Sequence, residues 1–246
     1  MAATRSARPP SDSWDFAQIS WNFPYCNARP LRVELENSKR GCDVSLTEEL
    51  WSTLAHETGL PFKEVSEIGR RIRLNGCFPK FHRSLPQNVS DIDLANLMIG
   101  VMSGLPAQQS HLAIQRLVDA EVSNGDFKHI IQAKAGFAEI GQTDSTFLKP
   151  KHTFTEALAD LFRIARQGPL VFEQVFQWTW VSVDKNRFGG EIQLHAEVFK
   201  PLPEAVLDTI IEYCPAEDYF RGDLQFHGRL SAKTIAAMAR TADRTT

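Results

Sequence analysis

The stretch LTEELWSTLAHETGLPFKEVSEIGRRIRLNG (46–76) carries the clearest structural instruction in the chain. Leu46, Leu50 and Leu54 recur at every fourth position with Trp51 beside them, which draws one apolar stripe along a helix. Ser45 or Thr47 suits its N-cap, and Glu48 and Glu49 suit the positive end of its dipole. Gly59 stands where that helix should stop. Pro61 stands where the next should start, because a missing N–H costs nothing in a first turn. The second helix runs to Asn75, with Gly76 as its stop, and gathers Val65, Ile68 and Ile72 on one side. Its opposite side presents Lys63, Ser66, Glu67 and Arg70, with Arg73 on one flank and Arg71 on the other.

Two short helices joined by a Gly-x-Pro turn make a helix-turn-helix-like unit. A recognition helix needs an apolar back to seat it and polar tips to reach base edges. Residues 61–89 hold six Lys/Arg (Lys63, Arg70, Arg71, Arg73, Lys80, Arg83) against two Glu (Glu64, Glu67), a net of +4 in a chain whose overall charge is −3. That local excess makes DNA the expected partner. Lys63, Ser66, Arg70 and Arg73 would lie at the groove, and Arg71, Lys80 and Arg83 on phosphates. The competing explanation is a plain helical scaffold, since a basic outer face is commonly just solvated. Glu48, Glu49 and Glu57 on the first helix would also repel phosphates.

Outward from this unit, residues 77–89 read as a loop or short β-wing, followed by a helix near 90–103 with Leu94, Leu97, Met98 and Val101 as its apolar face. Pro106 opens a further helix carrying Leu112, Ile114, Leu117 and Val118. Glycines 125, 136 and 141 with Pro150 suggest a linker containing a hairpin. A helix from Thr153 to Arg166 ends at Gly168-Pro169. Residues 170–183 are β-type in composition, and across the loop DKNRFGG (184–190) the alternation in EIQLHAEVF (191–199) completes a hairpin. Pro203–Tyr213 reads as a helix, Leu224–His227 as a short strand, and SAKTIAAMAR (231–240) as a closing helix.

The order of 46–118 resembles uncharacterised winged-helix-type DNA-binding proteins of bacteria and their prophages. The similarity lies in the Gly59-Leu60-Pro61 turn, the basic helix, NGCFPK (75–80), the helix DIDLANLMIGVMSG (91–104) and the closing GRLSAKTIAAMAR (228–240). FPKFHRS (78–84) keeps the Pro-Lys of those proteins and lacks the glycines that follow it there. The resemblance implies a phage-type DNA-binding or regulatory role. The expected architecture is α+β: an extended arm (1–45), a helical winged-helix-like domain (46–123), a linker region (124–152) and an α+β domain with a β-hairpin packed on helices (153–246).

A composition of 43% hydrophobic and 23% charged residues suffices for a core without staples. Cys26, Cys42, Cys77 and Cys214 form no CxxC pair, which argues against a zinc finger or disulfide framework and fits a reducing compartment. With no secretory h-region and no apolar run of membrane-spanning length, the expected address is the cytoplasm. No P-loop, GxGxxG, GxSxG or HExxH pattern occurs, so neither an enzyme nor a cofactor is expected. His195 and His227 lie on expected strands near Glu191, Glu197 and Asp223, but isolated strand histidines are far more often surface residues than metal ligands. Cys214 has no local signature of a nucleophile. The aromatics Phe172, Phe176, Trp178 and Trp180 suit a sheet core or an oligomer interface better than a ligand platform. Helix-turn-helix proteins bind as two-fold dimers, so a homodimer paired through the Trp178/Trp180 hairpin is the expected assembly. The rival classes are a protein-docking or inhibitor module, using that hairpin or the arm aromatics Trp14, Phe16, Trp21, Phe23 and Tyr25, and a phage DNA-packaging accessory factor.

Overall fold

The computed structural model describes residues 46–79, 89–122, 136–138, 140–149, 151–184, 189–199, 203–214 and 227–243. In chain order they form α1 (Leu46–Thr58), α2 (Phe62–Leu74), α3 (Asp91–Met102), α4 (Ser110–Leu117), β1 (Glu121–Val122), a 3-10 turn (Thr146–Leu148), α5 (Phe154–Gln167), α6 (Pro169–Val175), β2 (Trp180–Asp184), β3 (Gly189–Phe199), β4 (Pro203–Cys214), β5 (His227–Ser231) and α7 (Ala232–Asp243). The architecture is α+β, with one antiparallel sheet in the order β1-β4-β3-β2-β5. Among the described residues, no helix is long and apolar enough to cross a membrane.

The element that organises the rest is α3. A reciprocal capping box starts it: Asp93 N–H donates to Ser90 Oγ (3.2 Å) and Ser90 N–H to Asp93 Oδ2 (2.9 Å). Beyond the first turn Leu94, Ala95 and the run Leu97–Met102 are buried, leaving almost no polar face. A helix that is apolar all round must be surrounded. Ile68 and Ile72 of α2 and Ile114 of α4 converge on Gly100, α5 packs along the helix, and β2 and β5 approach it. Gly228 of β5 lies so near the Met102 carbonyl that a Cβ there would collide with backbone.

Helices early and late in the sequence meet around this centre. Thr53 of α1 hydrogen-bonds Thr241 of α7 through their hydroxyls (2.9 Å), and Lys233 lies 3.4 Å from Glu57. Arg166 of α5 reaches Asp91 (3.0 Å) and Asp243 (3.6 Å) while its Nη2 donates to the Val89 carbonyl (2.5 Å). Residues 43–246 form one compact unit. The segments on either side of the expected 124–152 linker thus share one core, and described parts of that linker contribute to it. Phe137 and Phe147 are buried and stacked at 5.5 Å, and buried Asp160 accepts from Ser145 Oγ (2.5 Å), Thr146 N–H (2.8 Å) and Arg163 Nε (2.7 Å).

Two local expectations are corrected. Pro203–Tyr213, expected as a helix, is strand β4, paired with β3 from Gly190↔Tyr213 to Phe199↔Pro203 with a bulge at Ala196/Glu197. The β-branched Thr209, Ile210 and Ile211 suit that pleated surface. Residues 170–175, expected as strand, belong to helix α6, which Pro169 opens and which buries Phe172 against Phe176 with centroids 4.8 Å apart. The expected hairpin survives in shortened form as β2–β3. Thr179, fully buried just before β2, accepts the His195 N–H and donates to the His195 carbonyl, both at 3.0 Å. The strand expected at 224–227 is β5 at His227–Ser231, and residues 224–226 lie outside the described residues.

Buried His152 ties the start of α5 to the end of β4. The Lys149 carbonyl can only accept, so His152 Nδ1–H donates to it (3.0 Å), and the bare Nε2 accepts from Tyr213 OH (2.9 Å). Burial pushes the His152 pKa below its ordinary 6.5, outweighing the hydrogen bond to Lys149 and the nearby Glu156 and Asp160. The neutral ring is therefore the native form. Stability is complete above pH 6.5 and falls as the pH drops from there toward the lowered native pKa, by up to about 1.4 kcal/mol per pH unit. Urea-unfolding midpoints measured from pH 8 to pH 5 should show this loss, and a His152→Phe/Tyr213→Phe double variant should show a correspondingly flatter profile.

Candidate nucleic-acid interface

The front of α2 is available only because its back is fixed. Val65, Ile68, Gly69 and Ile72 are buried. Gly69 faces Trp51 of α1, and a Cβ there would collide with the indole, so the missing side chain sets how closely α1 and α2 approach. The two turns that frame α2 end in left-handed glycines, Gly59 (φ 72°) and Gly76 (φ 77°). The Pro61 carbonyl accepts the N–H groups of Glu64 (2.9 Å) and Val65 (3.2 Å), closing the first turn.

On the outward side Lys63 and Arg70 are exposed, and Ser66 between them is half-buried, its Oγ donating to the Lys63 carbonyl (3.0 Å). Arg71 and Arg73, half-buried, sit on opposite flanks. The Arg73 guanidinium lies 5.7 Å from the centre of the Trp51 ring, a cation–π placement that fixes its stem. Phe62 and Leu74, near the two ends of the helix, are 48% and 59% exposed. Of the seven expected site residues, then, the structure brings Lys63, Ser66 and Arg70 onto one face and flanks them with Arg71 and Arg73. Lys80 and Arg83 lie outside the described residues, as do residues 80–88 of the loop or wing expected at 77–89.

The residue whose importance the sequence reading missed is Glu67. Arg70 donates to it twice, Nε to Oε2 (2.8 Å) and Nη2 to Oε1 (2.7 Å), and Arg71 Nε donates to Oε1 (2.9 Å). These bonds hold the Glu67 pKa at about 2 and raise that of Arg70. The signal was present in the spacing, because Glu67 stands three and four residues before the two arginines, where helical neighbours touch. Counting ionised groups on α2, Lys63, Arg70, Arg71 and Arg73 oppose Glu64 and Glu67, four minus two, a net of +2.

Elsewhere, His195 sits between two carboxylates, Nε2 3.2 Å from Glu197 and Nδ1 3.5 Å from Asp208. Among the described residues no group of three or more His, Cys, Asp or Glu is placed to hold a metal ion. The four aromatics of residues 172–180 divide: Phe172 and Phe176 are core, Trp180 lies under the Arg229 guanidinium at 4.2 Å, and Trp178 is 54% exposed. No family model matches the chain, and neither a curated protein nor a solved structure does.

Replacing Gly69 with Ala should destabilise the fold by about 1–3 kcal/mol, because overpacking against Trp51 outweighs the gain in helix propensity. Adding Trp51→Phe in the same chain should recover part of the loss. Thermal unfolding followed by circular dichroism measures both.

Proposed function

We propose that the protein binds DNA, with α2 lying in the major groove. The observation that carries this reading is a helix held by its buried Val65–Ile68–Ile72 side that presents Lys63, Ser66 and Arg70 to solvent, with Arg71 and Arg73 at its edges. Such a face suits base edges in front and phosphates at the sides. Arg71, Lys80 and Arg83 would supply phosphate contacts, and the role would be that of a transcriptional regulator of phage or prophage type in the cytoplasm, acting as a two-fold dimer.

Fluorescence anisotropy on fragments of the host genome at 50 and 200 mM salt tests the reading. Binding should weaken steeply with salt, and Lys63→Ala/Arg70→Ala should weaken it at least tenfold. Each lost phosphate contact would reduce the salt slope by about 1. No salt-dependent binding by the wild type, or unchanged binding by the double variant, would overturn the proposal.

A second reading, docking to another protein, is favoured by one surface. Leu170 and Val171 of α6 are 69% and 62% exposed, with exposed Trp178 shortly after. If this surface pairs two copies, light scattering should give a dimer mass that Leu170→Glu/Trp178→Ala reduces to that of the monomer.

A further inference from the structure

Three N–H groups of two arginines converge on the Glu67 carboxylate, and the way they divide its oxygens has a consequence for Arg70. A guanidinium carries five N–H groups in a rigid fork. Glu67 takes the Nε–H and one Nη2–H of Arg70, the side edge of the fork. The end of the fork, Nη1 with the remaining Nη2–H, is the edge that these two bonds do not use. Two parallel N–H groups at that end match the O6 and N7 acceptors that guanine shows in the major groove. The same carboxylate also accepts from Arg71 one residue on, so it is anchored from a second side and cannot swing with Arg70 alone.

We propose that Glu67 is a positioning residue that holds the Arg70 guanidinium by its side edge, so that its end reads a guanine. This rests on the DNA-binding reading above and adds a specificity to it. An arginine held in this way loses less freedom on binding than one that must be fixed by the base itself. Glu67 carries a negative charge on a face that meets a polyanion, a placement that works against affinity for DNA of any sequence. A buttressing role gives that charge a use, because it costs general affinity and adds discrimination. With its pKa held at about 2, the carboxylate stays ionised throughout the neutral range.

The test is Glu67→Gln, which keeps the length and helix propensity of the side chain and removes its charge. Wild type and variant are first profiled on an array of duplexes covering all eight-base-pair sequences. The best wild-type duplex is then remade with 7-deazaguanine in place of each guanine in turn, which deletes the N7 acceptor alone. The expected wild-type result is one guanine whose N7 matters by about 10- to 100-fold. In Glu67→Gln that factor should fall below about threefold, while binding to unrelated duplexes is unchanged or tighter for the added net positive charge. Arg70→Ala should lose the same discrimination at the same guanine. If Glu67→Gln tightens every duplex by one common factor and keeps the N7 effect, Glu67 is only a countercharge and the inference falls while DNA binding stands. If the wild type binds no duplex on the array, the DNA reading itself fails and takes the inference with it. Far-ultraviolet circular dichroism of the variant verifies that α2 is still formed.

Discussion

Everything in this fold depends on α3 being apolar on almost every side beyond its first turn. Once Leu94, Ala95 and Leu97–Met102 are apolar around the whole circumference, the helix must be enclosed, and neither its helical neighbours nor the sheet can do that alone. The enclosure draws α2 and α4 onto Gly100, α5 along its length and β5 against its C-terminal end. Burying a Leu or Met side chain contributes about 2 kcal/mol each, so a helix with most of its length covered commits the chain to one arrangement. The long-range ties at the rim, Thr53 to Thr241 and Arg166 to both Asp91 and Asp243, are then consequences of that arrangement.

The parts of the structure legible in the sequence are those where one rule governs. Gly59 and Gly76 end α1 and α2 because both positions require a left-handed backbone, and the fourfold spacing of Leu46, Leu50 and Leu54 has one interpretation. Where two rules competed, the reading went wrong. In β4 the apolar positions Val206, Leu207, Ile210 and Ile211 mimic a helical stripe, and Ile210, half-exposed on the outer face of the sheet, spoils the alternation that would have marked a strand. In α6 Leu170 and Val171 gave the segment a β-like composition, although Phe172 and the following Phe176 are buried at a helical spacing, with Val175 packed partly against the core beside them.

The candidate site shows the same division. The sequence placed Lys63, Ser66 and Arg70 on one side of α2 and the two further arginines beside them, because helical periodicity is enough for that. The spacing put Glu67 within reach of both Arg70 and Arg71, but which edge of each guanidinium it holds depends on the rotamers the packed helix allows. Nor could the sequence show that Arg73 leans on Trp51, a contact between helices. Net charge alone therefore described the face too simply. Two of its four cations are engaged with a neighbouring carboxylate, and a third with an indole.

The outer face of the sheet has a consequence of its own. Glu191 and Glu212 stand directly opposite one another on β3 and β4, and Glu197 and Asp208 flank His195 on the same two strands. Like charges facing across a ladder repel one another, so a cation held between the two strands is worth more here than on a neutral face.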